Sequence, residues 1–216
     1  MNFRLEFHCH TKASHDSLVT PGKLVAACRR KGIDRVAVTD HNTIEGALAA
    51  KQLAPEMVIV GEEILTNRGE LLAAFVKEEI PAGLSPQETI RRLREQEAFI
   101  SVSHPFDAIR SGSWELKDLE EIAPLVDAIE IFNSRCMLPI INWQAQAFAQ
   151  QYGLPGTAGS DAHSTWEVGR AVLILPQFEG ADGLRVAIKE AKVRGRMSPY
   201  WVHFLSRYAS MRKQIT

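Results

Sequence analysis

The chain of 216 residues is long enough to bury one sizeable core and short for two, so a single domain is expected. Its 25 basic and 26 acidic residues nearly cancel, which excludes a strong long-range pull toward nucleic acid or anionic lipid. Cys9, Cys28 and Cys136 are widely spaced and form no CxxC pair, which argues against a disulfide scaffold and a thiolate zinc knuckle.

In chain order, NFRLEFH reads as a strand whose end carries His8 and His10. The segment TPGKLVAACRRKG is a helix, with Thr20 before Pro21 at its start and Gly32 at its stop. The strand RVAVTD ends in Asp40 and His41, and the helix TIEGALAAKQLA follows. The runs at 57–64 and 70–76 are separated only by LTNRG, too short for a crossover helix, so they form a hairpin or splayed pair. Ser85, Pro86 and Glu88 make a capping box for SPQETIRRLREQE, whose arginines at 91–94 read as a solvated face. FISVSHP is a strand closed by His104 and Pro105. Then come the helix ELKDLEEIAPLV, the strand DAIEIF, a helix stopped by Gly153, and the strand LPGTAG ahead of Asp161 and His163. RAVLIL is an eighth strand-like run, and GADGLRVAIKEAKVRG is read as a helix. In the tail, Trp201, Phe204 and Tyr208 form an apolar stripe at helical spacing, expected to pack back on the domain or to form a dimer seam. The alternation predicts an α/β class. MNFRLEFHCH lacks the pattern of a secretory leader, and no 18-residue apolar stretch occurs, so a soluble cytoplasmic protein is expected.

The chemistry-bearing residues stand where apolar runs end. In a parallel barrel or open α/β sheet those ends share one rim, so residues distant in sequence meet there. His8 and His10, two apart, point to one side and can converge on a cation, although a lone HxH is also explained by ordinary packed histidines. Asp161 and His163 repeat the spacing. Asp40 reads as a cap for the following helix or as a buried partner, and His41 as a metal ligand. Glu62 and Glu63 face opposite ways in an extended strand; Glu63 is assigned to the site as a bridging carboxylate and Glu62 to the outer layer. Glu70 is a ligand or a plain surface carboxylate. Mixed imidazole and carboxylate donors favour Zn, Mn or Fe, and paired ions suit hydrolysis. The phosphate-binding glycine loops, GxSxG and HExxH are absent. Cys9 reads as core, Arg110, Arg135 and Arg170 as candidate phosphate holders or ordinary ion-pair residues, and Trp166 as a candidate pocket wall.

Taken in order, His8-x-His10, Asp16 within SHDS, TDHNTIEG, GEE, SHPF and GSDAH resemble the PHP (polymerase and histidinol phosphatase) family over residues 7–172. The resemblance implies one domain over 1–216, with 200–216 as a packed tail, folded as a distorted seven-stranded (β/α)7 barrel. It implies two or three divalent ions (Mn, Zn or Fe) at the carboxyl rim. His8, His10, Glu63 and Asp161 would surround one, Glu63 and His104 a second, and Asp16, His41 and His163 a third. Glu70 or Glu130 stands where relatives have a further histidine at the second ion. His15 touches metal, substrate phosphate or only solvent. The implied activity is hydrolysis of a small phosphate ester, foremost a monoester, by metal-activated hydroxide oriented by Glu63. His163 and His41 are candidates to protonate the leaving oxygen, but a ligand histidine is a poor acid while bound and the acid stays unassigned; Arg135, Arg170, Arg110 and His15 would bind substrate. The alternatives are a phosphodiesterase or 3′-5′ exonuclease on short nucleotides and a non-catalytic metal-containing binding module. The expected partner is a small phosphorylated substrate, with no stable nucleic acid or membrane partner and the oligomeric state open.

Overall fold

In the computed structural model, which describes residues 2–110 and 112–215, the first seven strands are laid side by side in the order of the chain. They are β1 (Asn2–Glu6), β2 (Arg35–Val38), β3 (Val58–Leu65), β4 (Glu70–Ala74), β5 (Phe99–Val102), β6 (Ala128–Asn133) and β7 (Gly156–Gly159). β4 runs antiparallel to β3 and β5, as the short LTNRG connection requires. The other contacts among these seven are parallel, with helices as crossovers.

The seven-stranded expectation is corrected to nine among the described residues. β8 (Ala171–Pro176) runs antiparallel along β1, and β9 (Lys192–Gly195) runs antiparallel along β8. β9 arises within the segment read as one long helix. The helix actually ends at Ala187, and a short 3-10 turn leads into KVRG, which pairs with the apolar β8. The sheet curls into a nearly closed barrel. At the carboxyl rim Cys9 bridges Ala162, with His10 N donating to Ala162 O (2.9 Å) and Asp161 N to His8 O (2.8 Å).

The helices are α1 (Pro21–Arg30), α2 (Glu45–Leu53), α3 (Pro86–Glu95), α4 (Leu116–Ile122), α5 (Pro139–Tyr152), α6 (Gly180–Ala187) and α7 (Val202–Ile215). Thr20 and Ser85 cap α1 and α3 by accepting from Lys23 N (3.4 Å) and Glu88 N (3.2 Å), with proline in each first turn. Leu5, Phe7, Leu72, Phe99 and Leu173 form a core that α6 closes with Leu184, and Phe7 meets Phe99 edge to face at 5.6 Å. Each such side chain contributes about 1.5–3 kcal/mol when fully buried. Two further clusters fill the space between the sheet and the outer helices; Cys9 lies in one of them, beside α1 and α2.

The tail packs on the barrel, but not through the apolar stripe. Trp201, Phe204 and Tyr208 are 46%, 73% and 57% exposed, and α7 instead buries Val202, Ser206 and Ala209. Small residues let this helix approach closely, and Arg135 then reaches Ser206 Oγ (2.6 Å). The expected domain limits at Met1 and Thr216 lie outside the described residues.

Candidate metal centre

The site is assembled by hydrogen bonds that fix each imidazole before any ion is considered. Asp40 is not the cap of α2. Its carboxylate accepts from Thr11 N (2.6 Å), Thr11 Oγ1 (2.7 Å), Ser14 N (3.2 Å) and Ser14 Oγ (2.6 Å), tying the loop after β1 to the end of β2. α2 starts later, after Ile44, without a side-chain cap. Ser14 Oγ, its proton committed to Asp40, accepts from His10 Nδ1 (3.0 Å). His8 Nδ1 donates to Glu130 Oε1 (3.0 Å), and His163 Nδ1 to the Asp161 carbonyl (2.8 Å). These acceptors assign the proton to Nδ1 in all three rings and leave Nε2 with its lone pair.

Those Nε2 atoms meet carboxylate oxygens. His8 Nε2 lies 3.1 Å from His10 Nε2, 3.2 Å from Glu63 Oε2 and 3.6 Å from Asp161 Oδ1. His10 Nε2 lies 3.4 Å and 3.2 Å from the same two oxygens. Ligands bound at about 2.0–2.2 Å around a tetrahedral cation stand at roughly such separations. Glu63 Oε2 and Asp161 Oδ1 are buried and accept no hydrogen bond among the described residues, a costly state that a cation relieves. The donor set therefore fits a divalent ion.

Two neighbouring groups share Glu63. His104 Nε2 lies 3.1 Å from Glu63 Oε1 and 3.4 Å from Glu70 Oε2, and His41, Glu63 and Glu70 can also converge. His163 Nε2 lies 2.8 Å from Asp16 Oδ2, while His41 lies 3.6 Å from Asp16 Oδ1 and 3.1 Å from Glu63 Oε2. Glu70 thus faces the cluster, whereas Glu130 holds His8 and the backbone of His104. Its Oε1 accepts from His8, and its Oε2 accepts from His104 N (2.9 Å) and Asn133 Nδ2 (3.0 Å).

Protonation follows from this crowding. Burial, followed by His163 and His41, pushes His10 down to about 3. Burial alone would raise Glu63 and Asp161, but His8 and His41 hold Glu63 well below the usual carboxylate range, and Arg110 and His8 do the same for Asp161. Burial and the charge of Glu63 raise Glu70. The backbone is also constrained: His104 and Asp161 have φ of 20° and 52°, in or bordering the left-handed region. Gly159 is required by close approach, since a Cβ there would lie 2.2 Å from His8 Cβ.

Beside the cluster opens a cavity of about 310 Å³, lined in part by His15, Asp16, His41, Glu70 and His163. Arg110 and Arg135 also line it. Arg110 donates to Asp161 Oδ2 (2.5 Å) and Asp107 Oδ2 (3.2 Å), and Arg135 Nε lies 3.4 Å from Glu167 Oε1. Arg170 does not line this cavity: it stacks on Trp166 at 4.5 Å and donates to Met197 O, which corrects both as candidate pocket residues. His203 and Ser206 of α7 do line the cavity. Neither these nor Asn133, Ser14 and the loop-holding role of Asp40 were found by sequence reasoning. The S/T-rich HTKASHDS before a helix was a signal for Ser14; the tail offered none for His203, which sits inside the apolar stripe.

Family models provide the independent comparison: that of the PHP domain matches residues 6–86, and the PHP-associated model matches residues 139–193. An uncharacterized protein of Methanocaldococcus jannaschii is 38% identical over 173 residues, 79% of this chain and 69% of that protein. The chain belongs to the PHP family. A PHP domain with this buried histidine and carboxylate cluster is a metal-dependent phosphoesterase. Over 71 residues the chain is also 38% identical to a 5′-3′ exoribonuclease of Haemophilus influenzae, which is 31% of this chain and 25% of that enzyme. The fold matches that of a two-domain protein from Bacteroides vulgatus described as containing a predicted PHP-like metal-dependent phosphoesterase. The TM-score is 0.75 at 19% identity, covering 91% of this chain and 65% of that one.

Proposed function

We propose that this PHP domain hydrolyses a small phosphate monoester with two or three divalent cations (Zn, Mn or Fe) held at the barrel rim. The observation that carries the reading is the pair of buried, unpartnered oxygens, Glu63 Oε2 and Asp161 Oδ1, facing the Nε2 atoms of His8 and His10. His8, His10, Glu63 and Asp161 would hold one ion, Glu63, His104 and Glu70 a second, and Asp16, His41 and His163 a third. Bound cations supply a lowered water pKa and neutralise charge on phosphoryl oxygens. Glu63, whose Oε2 faces His8 and whose Oε1 faces His104, would serve both of the first two positions. Arg135, Arg110 and His15 are placed along the cavity to receive the phosphate and its alcohol. His41 and His163, named both as ligands and as candidate proton donors, lie 2.8–3.6 Å from carboxylate oxygens of Asp16 and Glu63, which supports the ligand role.

A second reading, exonucleolytic cleavage of short nucleotides, draws on the 71-residue match to the 5′-3′ exoribonuclease. A cavity of about 310 Å³ suits one compact ligand better than a strand. We also place the whole chain, α7 included, in one domain that works in the cytoplasm; among the described residues no helix is long and apolar enough to cross a membrane.

Elemental analysis of protein purified without added metal or chelator, paired with phosphate release from monoesters and short diesters, tests the reading. Two or more bound ions with monoester turnover are expected. Stoichiometric metal with no turnover of any monoester, even after Mn supplementation, would overturn it in favour of a binding module.

A further inference from the structure

The departing alcohol needs a proton, and the cluster histidines are committed to carboxylates. His203 differs from them. It projects into the same cavity from α7, a wall that the strand-end loops do not build, and its half-buried ring makes no hydrogen bond or ion pair among the described residues. The other histidines lining this cavity, His15, His41 and His163, fall within groups able to hold metal. His203 lines the same cavity of about 310 Å³ as His41 and His163, so an ester held beside the cluster shares that space with its ring.

We propose that His203 is the general acid of the reaction, its imidazolium delivering a proton to the oxygen of the departing alcohol. This assignment rests on the monoesterase reading above. Water adds to phosphorus, the bond from phosphorus to the alcohol oxygen breaks, and its electron pair stays on that oxygen, which takes the proton from His203. The ring is half-buried and regains a proton from solvent.

The position of the ring is built into the fold. Ser206 lies one turn further along the same face of α7, accepts from Arg135 Nη2 (2.6 Å), and donates to the His203 carbonyl (3.3 Å). Lys213 Nζ, near the end of the helix, donates to the carbonyls of Lys12 and Ser14, which precede Asp16. The helix is thus tied to the site at both ends. Burial, then Arg135 and Arg110, lowers the proton affinity of His203, while Asp161 and Asp107 oppose this. The acid form is therefore populated toward lower pH, and the alkyl-ester kcat/KM of wild type is expected to fall as pH rises, a limb that His203→Gln should lose.

The test compares kcat/KM of metal-loaded wild type and His203→Gln on an alkyl ester, glycerol phosphate, and an aryl ester, p-nitrophenyl phosphate. The aryl leaving group needs little protonation. The alkyl ester is expected to lose roughly 10²–10⁴-fold, far more than the aryl ester. Metal content and Tm should match wild type. Ser206→Ala, which frees Arg135 and loosens the helix, is expected to lower both esters by similar factors. Equal losses on both esters for His203→Gln, or no loss, would overturn the acid assignment while leaving the monoesterase reading intact. If wild type turns over neither ester, the comparison moves to whichever alkyl and aryl monoesters the phosphate-release screen finds; a metal-loaded wild type that turns over no monoester at all would overturn the two together.

Discussion

Glu62 and Glu63 are adjacent on β3, both fully buried, and chemically opposite. On the outer face Glu62 Oε2 accepts from Ile80 N (3.1 Å), Oε1 has no hydrogen-bond partner among the described residues, and burial pushes the carboxyl up to about 8. On the inner face Glu63 is surrounded by His8, His41 and His104, and these hold it well below the usual range despite the same burial. Burial by itself therefore does not make a metal site; converging donors do. The outer carboxyl is neutral at moderate pH and carries a stability cost above it, whereas the inner one is kept ionised for cations.

The contrast breaks most visibly at the inner residue. Glu63→Gln removes the charge that the proposed function assigns to two cation positions, and kcat/KM for a monoester is expected to fall about 10²–10³-fold. Elemental analysis should show fewer bound ions; unchanged metal content and turnover would remove Glu63 from the bridging role.

Glu62→Gln should do the reverse. The folded-state pKa, about 8, lies above the unfolded value near 4.5, so the folded state holds more protons between these limits. Stability tied to Glu62 is therefore present below about 4.5 and lost as pH rises toward 8. Glutamine keeps an acceptor for Ile80 N and does not ionise. Thermal melts should show little difference from wild type at pH 4.5 and a gain on the order of 3 kcal/mol at pH 9. A gain independent of pH would contradict this account.

Glu130→Gln sharpens the comparison with the smallest effect. It sits on the inner side but behind the proposed ligands, where it accepts from His8 Nδ1. Metal affinity is expected to weaken about 10–100-fold with ligand count unchanged, as a titration with Zn or Mn would measure. Loss of a whole ion would instead make Glu130 a ligand.

Much of this was legible before the fold. Proline and serine or threonine at helix starts, the short LTNRG connection, and polar residues at the ends of apolar runs are local signals, and local signals survive in the sequence. β9 was not legible, because KVRG continues an amphipathic helix in pattern and becomes a strand only when β8 offers a free edge. Asp40 looked like a helix cap because the residues it holds, Thr11 and Ser14, are distant in sequence. Arg170 looked like a phosphate ligand until its stacking on Trp166 placed it elsewhere.

The sequence alone determined the α/β class, the family, and which side chains could bind cations, because these depend on residue type and period. Tertiary structure decided the rest: which face of β3 each glutamate serves, which nitrogen of each histidine stays free, and that α7 brings His203 to the cavity. Those outcomes depend on the approach of segments up to 200 residues apart, as Lys213 and Lys12 or Ser14 show, and no local pattern encodes such an approach.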